Sequence, residues 1–237
     1  MMILWCASAG LVMGCWLNWL ADYLPRFAAD RSAQKRFELH PKFASALASL
    51  LITLVFRKNQ RNPVARLNLA VELLMAFLFA FAWVRFGWSP NFFLLAFADA
   101  FFVLIALMDL KYRLILNVLV FPAMVAAVGL PFVASGVNLL AVLGGGAFGL
   151  VIFWLAARVR PGELGFGDIK LAALIGLILG VPYAVWALLI GVLTGGIAVI
   201  VLLFAHGANL KTRIPYAPFL CLGALTTLVF APLLTFR

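Results

Sequence analysis

Long apolar runs separated by short polar segments recur along the chain, at about residues 3–22, 67–86, 92–110, 116–134, 138–158, 169–180, 183–205 and 215–235. An α-helix needs roughly twenty apolar residues to cross the hydrocarbon of a bilayer, and it satisfies its own backbone N–H and C=O groups where no water can. The pattern therefore predicts an all-α protein, a polytopic transmembrane helix bundle of about eight spans. Its organisation divides into residues 1–66, a first span with a basic loop, and residues 67–237, a seven-span core. Within the basic loop, the run 43–56 is short for a crossing and is bracketed by Lys42 and Arg57. It reads as a re-entrant or interfacial helix on the inner face.

Charge orients this arrangement. With the N-terminus outside, every one of the 18 Lys and Arg except Arg85 and Arg237 falls on the inner face, as the positive-inside bias requires. The first run has no basic residue ahead of it and is followed by Arg26 and Arg31. That order is the reverse of a secretory signal peptide, so the run is expected to be a retained span. Composition agrees, with 66% hydrophobic and 11% charged residues and a mean hydropathy of +1.14, which leaves no room for a separate soluble domain. Because the net charge of +10 resides in the loops, topology accounts for it and no nucleic-acid partner is implied. Cys6, Cys15 and Cys221 show no C-x-x-C spacing. They indicate neither zinc nor a disulfide framework and are expected to be small packing residues. Gly145 with Gly149, Gly176 with Gly180, and Gly191 with Gly195 are small-x-x-x-small pairs, the spacing that lets helices approach closely.

Acidic residues in such a chain need a reason, since a carboxylate at membrane depth costs several kcal/mol by most estimates. Asp168 follows Gly165-Phe166-Gly167 and opens the sixth span, and Asp109 ends the third. On the threading above both arrive at the inner face, where helix packing can join them. Two neighbouring carboxyls do not easily ionise together, so such a pair shares a proton. One acid can then take a proton from water while the other stabilises the oxyanion, which suits peptide hydrolysis without nucleophile, metal or cofactor. Plainer readings exist for each: Asp168 as the N-cap of a helix, Asp109 as a solvated charge beside Lys111 and Arg113. Glu72, at the inner end of the second span, is expected to form an interfacial ion pair with Arg66. Asp99 lies ten residues before Asp109, about 15 Å along a helix, and is expected to bond to another span. A transporter with buried acids would also use such residues, but it should show paired internal repeats, and none is evident.

Five segments together resemble the prepilin peptidases, the G-x-G-D membrane aspartic peptidases that process type IV prepilins and type II secretion pseudopilins. They are Gly14-Cys15-Trp16-Leu17-Asn18 through Leu24-Pro25, and Asn62-Pro63-Val64 through Val71-Glu72-Leu73-Leu74. Next come Asp109 with Ile115 and Asn117, then Gly165-Phe166-Gly167-Asp168-Ile169-Lys170-Leu171, and finally Ile214-Pro215-Tyr216-Ala217-Pro218-Phe219-Leu220. The resemblance implies Asp109 and Asp168 as the catalytic pair, with Gly165, Phe166, Gly167, Lys170, Pro215 and Pro218 shaping the substrate approach. Glu72 and Asn18 are secondary candidates. It implies a substrate with a short basic leader ahead of a hydrophobic helix, cut after a glycine, at the cytoplasmic face of the bacterial inner membrane. Its partners would be the prepilin or pseudopilin precursor and membrane lipid.

The chain also departs from that family. Family members with a full N-terminal loop carry cysteine pairs that bind zinc and methylate the new N-terminus with S-adenosylmethionine, whereas residues 26–66 here hold no cysteine. The expectation is a divergent peptidase with no zinc, and with S-adenosylmethionine only if methyl transfer persists. Tyr23 stands where the family has arginine, and Leu116 replaces its proline. A presenilin-like protease shares G-x-G-D, but Met108 stands where that group has tyrosine before the first aspartate. Oligomeric state is open.

Overall fold

The computed structural model describes residues 1–28, 63–133, 137–159, 164–206 and 215–230. These form eight helices and, among the described residues, no strand: α1 (Met2–Ala28), α2 (Pro63–Phe86), α3 (Pro90–Tyr112), α4 (Asn117–Val133), α5 (Leu139–Val159), α6 (Phe166–Leu179), α7 (Tyr183–His206) and α8 (Ala217–Phe230). Five contain stretches long and apolar enough to cross a membrane, Met2–Pro25, Arg66–Phe86, Pro90–Tyr112, Leu139–Val159 and Tyr183–Val201; Asn117–Phe132 and Ala217–Phe230 are shorter apolar helices. The chain is thus a multi-pass helical membrane protein. Each expected span falls on a helix, with one informative shift: α6 begins at Phe166 rather than at 169. The helix expected at 43–56 lies outside the described residues.

Two compact units divide the chain, Met1–Met108 and Asp109–Arg237. In the first, α1 and α2 pack through glycines. A methyl group on Gly14 would stand 2.6 Å from the Glu72 Cα, and one on Gly10 would stand 2.7 Å from the Ala76 Cα. Such close backbone approach is what small residues permit between membrane helices, where association rests on packing rather than on exclusion of water. Phe79 of α2 meets Phe92 of α3 edge to face at 6.3 Å between ring centres.

The second unit is built around α6, a helix of 14 residues whose Ile169, Leu171, Ala172, Ala173, Leu174, Ile175, Gly176 and Leu179 are all buried. A helix apolar and buried on nearly every side is one enclosed by its neighbours. Gly145 of α5 rests on the Gly176 carbonyl and Gly149 on the Ala172 carbonyl, while Gly191 and Gly195 of α7 receive Leu220 and Tyr216. The glycine pairs therefore mark packing seams, as their spacing predicts. Gly180 has a second role: its φ of 65° ends α6, its N–H donating to the Gly176 carbonyl at 2.8 Å, a conformation that side chains other than glycine rarely accept. The same contacts fix the register of α5 against α6. Since Gly145 faces Gly176 and Gly149 faces Ala172, Phe153 lies level with Asp168, and α5 runs on to Val159, about 9 Å further along its axis.

Candidate active site

Asp109 occupies the last turn of α3 and is buried, only 6% exposed. Its carbonyl accepts the Arg113 N–H at 2.8 Å, and Arg113 turns to a φ of 54° as the helix gives way to the connector toward α4. Its side chain meets a different element: Oδ2 accepts the backbone N–H of Ala217 at 3.2 Å. Ala217 is the first residue of α8, and the Tyr216 carbonyl before it accepts from Phe219 at 3.1 Å. The leading N–H groups of a helix have no partner within it and carry the positive end of the helix dipole, a favourable place for a carboxylate. Pro218, in that first turn, lacks only an N–H that the helix does not use. The element around Pro215 and Pro218 is thus a helix start, and the helix it starts holds Asp109.

Asp168 is the third residue of α6, with Gly165 as the cap. The N-cap reading is corrected accordingly: Asp168 reaches back, its Oδ2 accepting the Gly165 N–H at 3.2 Å, as the acid of a capping box does. Phe166 and Gly167 are already helical. Gly167 is small for a packing reason. A methyl there would stand 3.1 Å from Ile115 Cδ1 and 3.2 Å from its Cβ, so the connector between α3 and α4 lies against the first turn of α6. Burial, and then the neighbouring Asp109 charge, push the Asp168 carboxyl up to about 6, against a smaller opposing effect of the Gly165 N–H. Asp109 and Asp168 are therefore within electrostatic reach of each other.

Tyr216 shares this environment. Burial, then the charge of Asp168, push its hydroxyl up, and its ring lies 6.2 Å from that of Phe153. Sequence reasoning passed over Tyr216 and Ala217 as site residues, although both stand between the two prolines it singled out. Phe166 is 81% exposed beside the site. Lys170 is engaged elsewhere, its Nζ donating to Asn117 Oδ1 at 3.0 Å and lying 5.2 Å from the centre of the Phe121 ring.

The secondary candidates belong to the first unit. Glu72 is 2% exposed; its Oε1 accepts from Asn18 Nδ2 at 3.3 Å and from Cys15 Sγ at 3.5 Å. The Asn18 amide also donates to the Asn68 carbonyl at 3.1 Å. Glu72 is thus a buried hydrogen-bonded group rather than a surface acid, because α1 approaches α2 at Gly14 and covers it. Cys15 is likewise more than packing. Asp99 is corrected too: it is fully buried, and among the described residues neither carboxylate oxygen has a hydrogen-bond partner. The positions three and four residues either side of it are Leu95, Ala96, Phe102 and Val103, all buried and apolar, so this face of α3 offers it nothing to bond.

The type IV leader peptidase family model matches residues 96–200, from α3 into α7. The chain is 32% identical over 173 residues to a prepilin leader peptidase/N-methyltransferase of Bacillus subtilis, covering 68% of this chain and 65% of that protein. It is 32% identical over 171 residues to the protein of the same name from Xanthomonas campestris, covering 68% of this chain and 58% of the relative. A third, from Pseudomonas aeruginosa, is 30% identical over 139 residues, covering 55% of this chain and 47% of the relative. The chain thus spans somewhat less than two thirds of the curated relatives it matches. No solved structure matches it.

Proposed function

We propose that the chain, whose residues 96–200 match the type IV leader peptidase family model, is a membrane aspartic endopeptidase of that family. Its substrates are type IV prepilins or type II secretion pseudopilins, whose short basic leader it removes at the cytoplasmic face of the bacterial inner membrane. The observation that carries this reading is the pairing of Asp109, held by the start of α8, with Asp168, at the start of α6.

The chemistry follows from that pair. In this mechanism Asp168 carries the proton that the pair shares, and Asp109, oriented by the Ala217 N–H, is the acceptor. Asp109 takes a proton from water as the water oxygen bonds to the scissile carbonyl carbon. Asp168 gives its proton to the carbonyl oxygen, which is thereby stabilised as the tetrahedral intermediate forms. The intermediate then collapses: the C–N bond breaks, the leaving nitrogen takes the proton Asp109 has just gained, and the carbonyl re-forms as Asp168 recovers its own. No metal or cofactor enters these steps. The proposal covers the peptidase alone and assigns no residue to methyl transfer.

Co-expression with a prepilin substrate, followed by mass spectrometry of its N-terminal peptide, tests the reading. Leader removal by the wild type and intact precursor with Asp109→Asn or Asp168→Asn is the expected result. Processing at the wild-type rate by either variant overturns the assignment.

A further inference from the structure

Asp109 and Asp168 sit on different helices, so their separation depends on what holds the end of α3 against the start of α6. The two are linked through the connector 113–116, which runs from α3 to α4, and the structure holds the connector and the start of α4 against the first turns of α6, each at one point. One is the contact of Ile115 with Gly167, where a side-chain carbon on the glycine would stand 3.1 Å away. The other is Lys170, whose Nζ donates to Asn117 Oδ1 at 3.0 Å and lies 5.2 Å from the Phe121 ring centre. Asn117 and Phe121 are four residues apart at the start of α4, hence on one face of it. Lys170 is two residues beyond Asp168, about 200° around the helix, so it turns away from the acid and toward α4.

We infer that Lys170 is a positioning residue for the proposed peptidase reaction, clamping the connector through Asn117 and Phe121 so that Asp109 is held at working distance from Asp168. The inference rests on the peptidase reading but concerns residues that reading does not use. Its physical basis is the sensitivity of catalysis to geometry, where displacement of about 1 Å can cost roughly a hundredfold in rate. The donor is an ammonium that meets an amide oxygen and an aromatic face together, two contacts that a neutral side chain does not reproduce. Among the described residues, the titratable groups facing Asp168 are Asp109 and Tyr216, with Arg113 acting on Asp109 from the connector.

The test uses the full-length chain in detergent or liposomes and compares Lys170→Met, Lys170→Arg, Asn117→Ala and the double variant Lys170→Met with Asn117→Ala. Expected results are a fall in kcat of about tenfold to a hundredfold with little change in KM for Lys170→Met, a similar fall for Asn117→Ala, no further fall in the double variant, and substantial recovery with Lys170→Arg. A raised KM with kcat intact makes Lys170 a substrate contact and overturns the inference. So does additive loss in the double variant, or loss explained wholly by a smaller folded fraction.

A second measurement needs no substrate. Infrared titration of the Asp168 carboxyl, isolated by difference from Asp168→Asn, is expected to show a lower midpoint in Asn117→Ala, which breaks the contact and keeps the Lys170 charge, than in the wild type, because a looser pair weakens the effect of Asp109 and admits water. An unchanged midpoint overturns the clamp, whatever the cleavage assay shows. Absence of cleavage by the wild type, by contrast, overturns only the peptidase reading.

Discussion

The backbone N–H of Ala217 donates to Oδ2 of Asp109 across 108 positions of sequence. That bond ties the end of one helix to the beginning of another and aims the carboxylate through a backbone donor. Proline at 217 would delete the donor while suiting the first position of α8, where its fixed φ is helical and its missing N–H breaks no helical bond. Ala217→Pro is therefore expected to lower the cleavage rate about tenfold to a hundredfold, the range for a lost hydrogen bond to a charged group. Ala217→Gly, which keeps the N–H, should lower it far less. Initial rates at equal folded enzyme check this.

Asp109→Asn and Asp168→Asn each remove one participant in proton transfer while leaving an oxygen to accept the Ala217 or Gly165 N–H. Losses of about 10²- to 10⁴-fold in cleavage are expected, the usual contribution of a positioned acid or base. Membrane insertion and helix content should be unchanged, as circular dichroism of the purified variants would report.

Titration of Asp168 should be visible in both activity and stability. Its carboxyl is raised from an ordinary 3.8 to about 6, so in the free enzyme kcat/KM should decline on the alkaline side with a midpoint near that value. The folded state binds this proton more tightly than the unfolded chain, so its contribution to stability is complete at low pH and is lost as pH rises through the window from 3.8 to about 6. Asp168→Asn should consequently raise the melting temperature relative to wild type above that window and not below it. Thermal melts across pH would show whether the two curves part there.

Gly176 and Gly196 make a contrasting pair. A side chain on Gly176 collides with the backbone of Gly145, whereas one on Gly196 meets nothing within 4 Å. Gly176→Ala should destabilise by about 1–3 kcal/mol or more, the cost of overpacking, and should loosen α6 and the site at its head. Gly196→Ala should be neutral or slightly stabilising, since alanine favours helix over glycine by roughly 1 kcal/mol. Unfolding in detergent is the measurement.

Glu72 offers a test separate from peptidase chemistry. Asn18→Leu removes the amide that donates to Oε1 at 3.3 Å, leaving the buried acid, among the described residues, with Cys15 Sγ at 3.5 Å as its donor. A loss of about 1–3 kcal/mol is expected for such an under-satisfied group. Glu72→Gln in the same background should recover part of it.

The spans and the two aspartates were legible because hydropathy reports directly on lipid, and because an acid amid hydrocarbon is conspicuous. Partners were not. Ala217 contributes only a backbone N–H, a group that nearly every residue carries, so nothing in its side chain marks it. Asp168 reads as a cap from its neighbours, yet its position in the helix depends on where α6 starts, a boundary that Phe166 and Gly167 do not advertise. Glu72 misled because an acid near a span end ordinarily meets water. Only the close approach at Gly14 reveals that α1 covers it. That Asp99 finds no hydrogen-bond partner among the described residues is equally invisible, since a hydropathy pattern cannot say what lies opposite it.

The unequal lengths of α5 and α6 constrain what can be cut. Because α5 continues to Val159 beyond the level of Asp168, a chain approaching along its flank must descend about 9 Å before its backbone meets the acids. Roughly three residues of extended polypeptide cover that distance, while the same three in a helix cover only about half of it. On the proposed reading, a precursor that unwinds just ahead of its membrane-embedded segment reaches the acids with about half as many residues as a helical one, and a leader made stiffly helical up to the cleavage point should be removed more slowly.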